Sequence, residues 1–252
     1  MENNIDIFIG THKTFIPPIS NKAYKIIVGN HDIENNSNLE LIKCGDKNDA
    51  LDDEFYSEIY MLIKLVNMDY LFKDYVGFCH YRKYFSFMDD IPDMDEMFTK
   101  YDVILPKYRI FEGSIKGQYA YYHNIEDLYI VGGIIADLYP QYTYAWNKVI
   151  NNNILFPYNM FIMKREDFLE YISFVSNILS RYLKIVGFDI EKRIENNKEQ
   201  YLKDIPNKPQ NGEVWYQKRI GGYLAERLTN VFVTYKFKKA LLCGVNITEK
   251  KY

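Results

Sequence analysis

Asp74-Tyr75-Val76-Gly77-Phe78-Cys79-His80-Tyr81-Arg82-Lys83-Tyr84-Phe85 is the stretch on which the reading of this chain turns. The apolar run Tyr75 to Cys79, with a glycine inside it, has the length and composition of a short buried strand. It passes without a spacer into His80, Tyr81, Arg82, Lys83 and Tyr84. In an open α/β sheet the carboxyl end of a buried strand is where ligands sit. An imidazole that titrates near neutrality and a planar guanidinium fork are suited there to phosphate or carboxylate. The cationic and aromatic cluster therefore points to a phosphorylated or sugar-bearing ligand. On the opposing reading, Tyr81 and Phe85 are core and Arg82 and Lys83 form a solvated turn.

Outward from this strand, the chain reads as alternating strands and helices. Ile5-Asp6-Ile7-Phe8-Ile9-Gly10 is a first strand whose end, Thr11-His12-Lys13, is a second polar strand terminus. Tyr24 to Val28 and Leu39 to Cys44 extend the sheet. Asp46 follows as a possible acceptor for ribose or base hydroxyls, or as a simple turn residue. A helix is predicted from Phe55 to Leu71, capped by Asp52 or Asp53. The acidic run Asp89 to Glu96 lacks calcium-loop spacing and reads as a solvated loop capping the next helix. Tyr101 to Lys107 is another strand, and Arg109 to Tyr122 a long mobile loop of the kind that serves as a lid or a binding loop. His123 and Asp127, four apart, share a face if a helix begins there.

Helices are predicted over Leu128 to Leu138, Tyr142 to Ile150 and Arg165 to Val186, with a strand at Pro157 to Lys164. Asp189 to Gly212 reads as a polar connection, partly disordered or crossing the surface. It leads to Arg219, Gly221, Gly222, Glu226 and Arg227, where the paired glycines permit close backbone approach. The alternating Tyr235-Lys236-Phe237-Lys238-Lys239 fits either an edge strand or an anionic membrane surface.

Composition bounds the function. The 252 residues suit one large domain, and 48% hydrophobic with 26% charged residues is ordinary for a globular protein. The 24 Tyr and 16 Phe serve cores, sugar-stacking surfaces and wet interfaces alike. A net charge of −3 disfavours wholesale nucleic-acid binding. Cys44, Cys79 and Cys243 lack disulfide or zinc spacing, and neither a signal peptide nor a spanning segment is evident. A cytoplasmic location is expected.

Five segments in order resemble a bacterial family found among capsular and exopolysaccharide synthesis proteins, described as a glycosyltransferase-like domain of long-unassigned function. They are Ile7 to Lys13, Tyr56-Ser57-Glu58, Tyr75 to Phe85, Asn159 to Met163, and Gly222 to Leu228, with His80-Tyr81-Arg82-Lys83-Tyr84-Phe85 the most specific. The resemblance implies a GT-A-like α/β fold: a central, mostly parallel twisted sheet flanked by helices, with a helical C-terminal part. It implies one domain over residues 1–252, its nucleotide-binding half at 1–110 and its acceptor-side half at 111–252. Thr11, His12 and Asp46 would hold the nucleotide, with Lys83, Tyr84 and Arg219 completing the donor site. His80-Tyr81-Arg82 stands where such folds carry a metal-binding Asp-x-Asp, so no metal ligands are assigned, and Arg82 with Lys83 or Arg219 would stabilise the departing diphosphate. Asn159, Met160 and His123 would face the acceptor. Glu226 or Asp127 would deprotonate the attacking hydroxyl, and His80 and Arg82 complete the catalytic set.

The implied activity is sugar transfer, with galactose or galactofuranose the leading candidates, from a UDP-linked donor to a glycan acceptor in capsular, exopolysaccharide or O-antigen synthesis. The implied acceptor is lipid-linked, with peripheral contact at the inner membrane face. The alternative is a non-catalytic nucleotide- or glycan-binding module of a polysaccharide assembly complex. Phosphoryl transfer is disfavoured by the lack of a Walker-type glycine loop.

Overall fold

The computed structural model describes residues 4–45, 53–197 and 217–248. Its centre is a pair of parallel strands, β1 (Ile5–Thr11) and β4 (Tyr75–His80), both buried along their whole length. Strands covered on both faces cannot alternate polar and apolar residues, which is why these two read as continuous apolar runs. From β1 the sheet extends through β2 (Tyr24–Val28) to β3 (Glu40–Lys43), all parallel. On the other side of β4 lies β9 (Phe161–Lys164), antiparallel, then β6 (Val103–Pro106) and β10 (Ala240–Cys243). The order β10-β6-β9-β4-β1-β2-β3 makes a mostly parallel sheet flanked by helices, as expected. A short strand β5 (Lys83–Phe85) turns back on β4 and pairs with β11 (Val245–Ile247). The strands β7 (Arg109–Ile110) and β8 (Ile154–Leu155) form a separate ribbon.

Alternation across the pleat divides the core in two. Phe8, Val76, Phe78, Phe161 and Met163 face one side, where they meet the helices α2 (Glu58–Asn67), α5 (Glu126–Leu138), α6 (Thr143–Asn151), α7 (Arg165–Val186) and α9 (Ile220–Lys236). Ile7, Ile9, Cys79 and Ile162 face the other, under Tyr84, Phe85 and Met94 at the start of α3 (Met94–Lys100). Gly77 sits where the strands crowd, and a Cβ there would lie 3.0 Å from Ile162 and 3.2 Å from Ile7.

The structure departs from the sequence expectations at four places. The helix expected over 55–71 is broken at Ser57 (φ 53°, ψ −134°), between α1 (Asp53–Tyr56) and α2. Its cause is tertiary: α9 crosses so closely that a Cβ on Gly222 would lie 2.7 Å from that of Ser57. The long loop expected at 109–122 is instead β7 followed by α4 (Ile115–Tyr122), capped by Ser114 and anchored by Ile115 and Tyr119, buried four residues apart. The expected polar connection begins as α8 (Ile190–Asn196), capped by Asp189. Tyr235 and Lys236 end α9 rather than form an edge strand, and Lys236 pairs with Asp167 and Glu170. Asp93 caps α3 as read, and Asp89 accepts from the Ser20 and Asn21 amides.

Candidate active site

The carboxyl ends of β1 and β4 open into a cleft of two joined lobes. The smaller, about 380 Å³, lies over β1 and β2 and is lined by Gly10, Thr11, His12, Gly29, His31, Tyr60 and Met61. The larger, about 520 Å³, lies under α4, α9 and the turn before β9. His12, Ser57, Glu58, His80 and Arg219 border both lobes and form their junction.

Three elements build most of that junction, and the loop after β1 completes it with His12. The β4 end supplies His80, which is 8% exposed. Its Nδ1 accepts the Arg82 amide at 3.3 Å, so the proton resides on Nε2, which faces Glu58 Oε1 at 3.8 Å. Burial lowers the His80 pKa to about 2, with Lys83 and Arg82 adding to the shift. The ring is therefore neutral, and its contact with Glu58 is dipolar rather than a salt bridge. The broken helix supplies Ser57 and Glu58. The start of α9 supplies Arg219, whose Nη2 donates to Ser57 Oγ at 2.5 Å and lies 3.5 Å from Glu58 Oε1. His12, at the mouth of the cleft, packs edge-on against Tyr81 at 5.4 Å. Desolvation, Lys13 and Arg219 lower its pKa to about 4.

In the larger lobe, Arg82 lies over the Tyr81 ring, 5.0 Å from its centroid. Lys83 and Arg109 lie over the Tyr158 ring at 4.3 and 4.8 Å. The Lys83 pKa is lowered by burial and then by the Arg82 charge. His123 is stacked on Tyr223 at 4.3 Å, with Nδ1 3.0 Å from Gln217 Oε1, and burial lowers its pKa to about 3. Glu226 accepts from the Tyr158 amide at 2.8 Å and from Arg227 at 2.9 Å. One oxygen thereby holds the turn at Tyr158 and Asn159, two residues at positive φ, and the other is paired with Arg227. Asn159 borders the lobe with Oδ1 accepting from Thr229.

Thr11, His12, His80, Arg82, Lys83, His123, Asn159, Arg219 and Glu226 thus all reach the cleft. Three expected site residues do not. Tyr84 is fully buried and donates to the Tyr81 carbonyl, because β5 turns its side chain under the sheet. Met160 packs in the core on that same face. Asp127 is inaccessible and receives Tyr119, Tyr182 and Arg193, since α5 directs it into the helical layer. Burial raises its pKa, opposed mainly by Arg193. It cannot reach a substrate hydroxyl. Asp46 lies outside the described residues. Glu58, Arg109 and Tyr158 went unassigned. Glu58 was visible only as part of Tyr56-Ser57-Glu58, and the other two carry no local signal of a cleft.

Among the described residues no three His, Cys, Asp or Glu are grouped so as to hold a metal ion by themselves, and Arg82, Lys83 and Arg219 line the larger lobe. The family model described as domain of unknown function DUF4422 matches residues 6–238. The chain belongs to that family. The match spans β1 through α9 and so includes every element that builds the cleft. No curated protein matches the sequence. Among solved structures, the WbbM bifunctional glycosyltransferase in its apo form is similar, with a TM-score of 0.68 and 20% identity. The likeness covers 98% of this DUF4422 chain and 46% of that one. The chain therefore spans about half the length of that protein, and at this identity the likeness is one of fold.

Proposed function

We propose that the chain is a glycosyltransferase that moves a sugar from a nucleotide-sugar donor to a glycan acceptor. The observation that carries this reading is the two-lobed cleft whose junction combines Arg219, a neutral His80 and the Glu58 carboxylate. A nucleoside fits the smaller lobe, beside Thr11 and His12. The diphosphate would then lie at the junction, where Arg82 and Arg219 neutralise it, and the transferred sugar would enter the larger lobe. In the reaction the bond from the anomeric carbon to the diphosphate oxygen breaks and a bond to the acceptor oxygen forms. Charge builds on the leaving oxygen, where preorganised cations act most strongly. The acceptor proton goes to a carboxylate, and Glu58 is the better candidate: its contacts, at 3.4 to 3.8 Å, are looser than those of Glu226. Glu226 instead positions the acceptor-side turn.

UDP is the first nucleotide to test, and galactose, as pyranose or furanose, the first sugar. A glycan acceptor on a lipid carrier, in capsular, exopolysaccharide or O-antigen synthesis at the cytoplasmic face of the membrane, belongs to the same proposal. So does a division of labour in one domain, residues 1–110 serving the donor and 111–252 the acceptor. No helix among the described residues is long and apolar enough to cross a membrane, so any membrane contact through them would be peripheral. Calorimetric titration with UDP, with and without manganese, tests the site in the wild type, Arg82→Ala and Arg219→Ala. Metal-independent binding, weakened about tenfold or more in each variant, is expected. Absence of UDP binding under both conditions would overturn the UDP-transferase reading. Binding without turnover of any UDP-sugar would favour a non-catalytic module.

A further inference from the structure

The larger lobe carries more positive charge than a donor diphosphate requires. Arg82, Lys83, Arg109, Arg219 and Arg227 line it, against the carboxylates Glu58 and Glu226. Arg227 is paired with Glu226 at 2.9 Å and Arg219 lies 3.5 Å from Glu58. Arg82, Lys83 and Arg109 form no salt bridge among the described residues, although a charge in a cleft is favourable only when it is paired or solvated. The imidazoles of His80 and His123, held neutral, add nothing to this balance.

The three cations stand at two different walls. Arg82 covers Tyr81, whose ring touches His12, a residue of the junction. Lys83 and Arg109 instead cover one ring, that of Tyr158, which borders the larger lobe and not the smaller. Lys83 comes from β5 and Arg109 from β7, and Arg109 donates to the Tyr158 hydroxyl. Tyr158 is itself fixed, at φ 75°, by the hydrogen bond that its backbone N–H donates to Glu226. An aromatic face holds a cation while leaving its donors directed elsewhere. Two cations on one ring repel each other: burial, then Arg82 and, more weakly, Arg109 lower the pKa of Lys83, while Glu58 and Glu226 oppose them. A single anion received by both would relieve that repulsion.

The five cations exceed the two carboxylates by three charges; a donor diphosphate, with one negative charge on each phosphate, offsets two of these beside Arg82 and Arg219 at the junction and leaves one positive charge uncompensated at Lys83 and Arg109. We propose that Lys83, Arg109 and Tyr158 form a second anion site, on the acceptor wall of the larger lobe, which takes a phosphate or carboxylate carried by the acceptor glycan. This rests on the transferase reading above and narrows it to an acidic acceptor. It also moves Lys83 from the donor to the acceptor.

The test saturates the full chain with UDP and titrates in methyl phosphate or, separately, the methyl glycoside of glucuronic acid. At least one probe should bind with UDP present, and which one does distinguishes a phosphorylated acceptor from a uronate-bearing acceptor. Its affinity should fall about tenfold in Arg109→Gln and in Lys83→Gln, as for loss of a charge-assisted hydrogen bond, and recover largely in Arg109→Lys. Arg109 is exposed, so its charge can be removed without disturbing the core. Mutual exclusion of probe and UDP would overturn the second site and leave the donor site standing. So would binding unaffected by both glutamine variants, or no binding of either probe. Failure of UDP itself to bind would count against the transferase reading, and the same titrations without UDP would then decide the anion site by the same criteria.

Discussion

At the residue scale, the chemistry of the cleft depends on burial as much as on residue type. His80 and His123 are typical switch residues by sequence, yet both are held neutral, with pKa values near 2 and 3. Unfolded, each titrates at about 6.5, so below that pH the unfolded chain binds protons that the folded chain does not. Each group therefore contributes stability that is present above about pH 6.5 and is lost as the pH falls toward 3 for His123 and 2 for His80. The slope is at most about 1.4 kcal/mol per pH unit for each residue. Urea midpoints measured from pH 7 to pH 5 should fall accordingly, and His123→Gln should flatten the profile. Among carboxylates, Glu58→Gln should reduce turnover about 100-fold or more with the fold intact, the range expected for loss of a general base. Retained turnover in that variant would return the role to Glu226. Asp127→Ala should instead destabilise the fold by about 3–5 kcal/mol, because it removes the buried carboxylate that receives Tyr119, Tyr182 and Arg193 in the helical layer. A denaturant melt separates these two outcomes.

At the element scale, the decisive feature is the meeting of α1, α2 and α9. Ser57 adopts a backbone conformation that glycine tolerates far better, and such strain of about 1–3 kcal/mol persists only where the surroundings impose it. Here they do: Gly221 and Gly222 bring α9 against Phe55 and Ser57, and Arg219 then reaches the Ser57 hydroxyl. Ser57→Gly should hold or raise the melting temperature while weakening UDP binding, because it relieves the backbone and removes the anchor for Arg219. Gly221→Ala has no such freedom, since its Cβ would lie 2.6 Å from the Phe55 carbonyl oxygen. A loss of about 1–3 kcal/mol is expected from the resulting shift of α9, read as a lower urea midpoint.

At the scale of the whole molecule, the cleft is assembled from segments far apart in sequence. His12, Glu58, His80, Tyr158 and Arg219 meet only because β1 and β4 are adjacent and α9 returns over their carboxyl ends. The C-terminal strands close the arrangement: β10 covers the edge of β6, and β11 pairs with β5, the strand that carries Lys83. Truncation after residue 238 should unpair both, leaving an open strand edge. Size-exclusion chromatography should then show association or aggregation, and a truncated chain that stays monodisperse with full UDP affinity would contradict this role.

The strand, the cationic run after it and the overall α/β architecture were legible in the sequence because each rests on local pattern. An apolar run identifies β4 wherever it lies, and the carboxyl end of a central parallel strand is a ligand position by topology. The long helix 165–186 and the close-packed Gly221-Gly222 were legible for the same reason. Burial and direction were not. Whether Tyr84 or Asp127 faces a cleft or a core depends on which way β5 and α5 turn, and that is set by the residues packed against them. The break at Ser57, the site of Glu58, and the pairing of Lys83 with Arg109 across Tyr158 join segments up to 162 residues apart, as between Arg219 and Ser57. Local pattern therefore determined what the elements are and where the cleft opens; long-range packing decided which side chains enter it and with what charge.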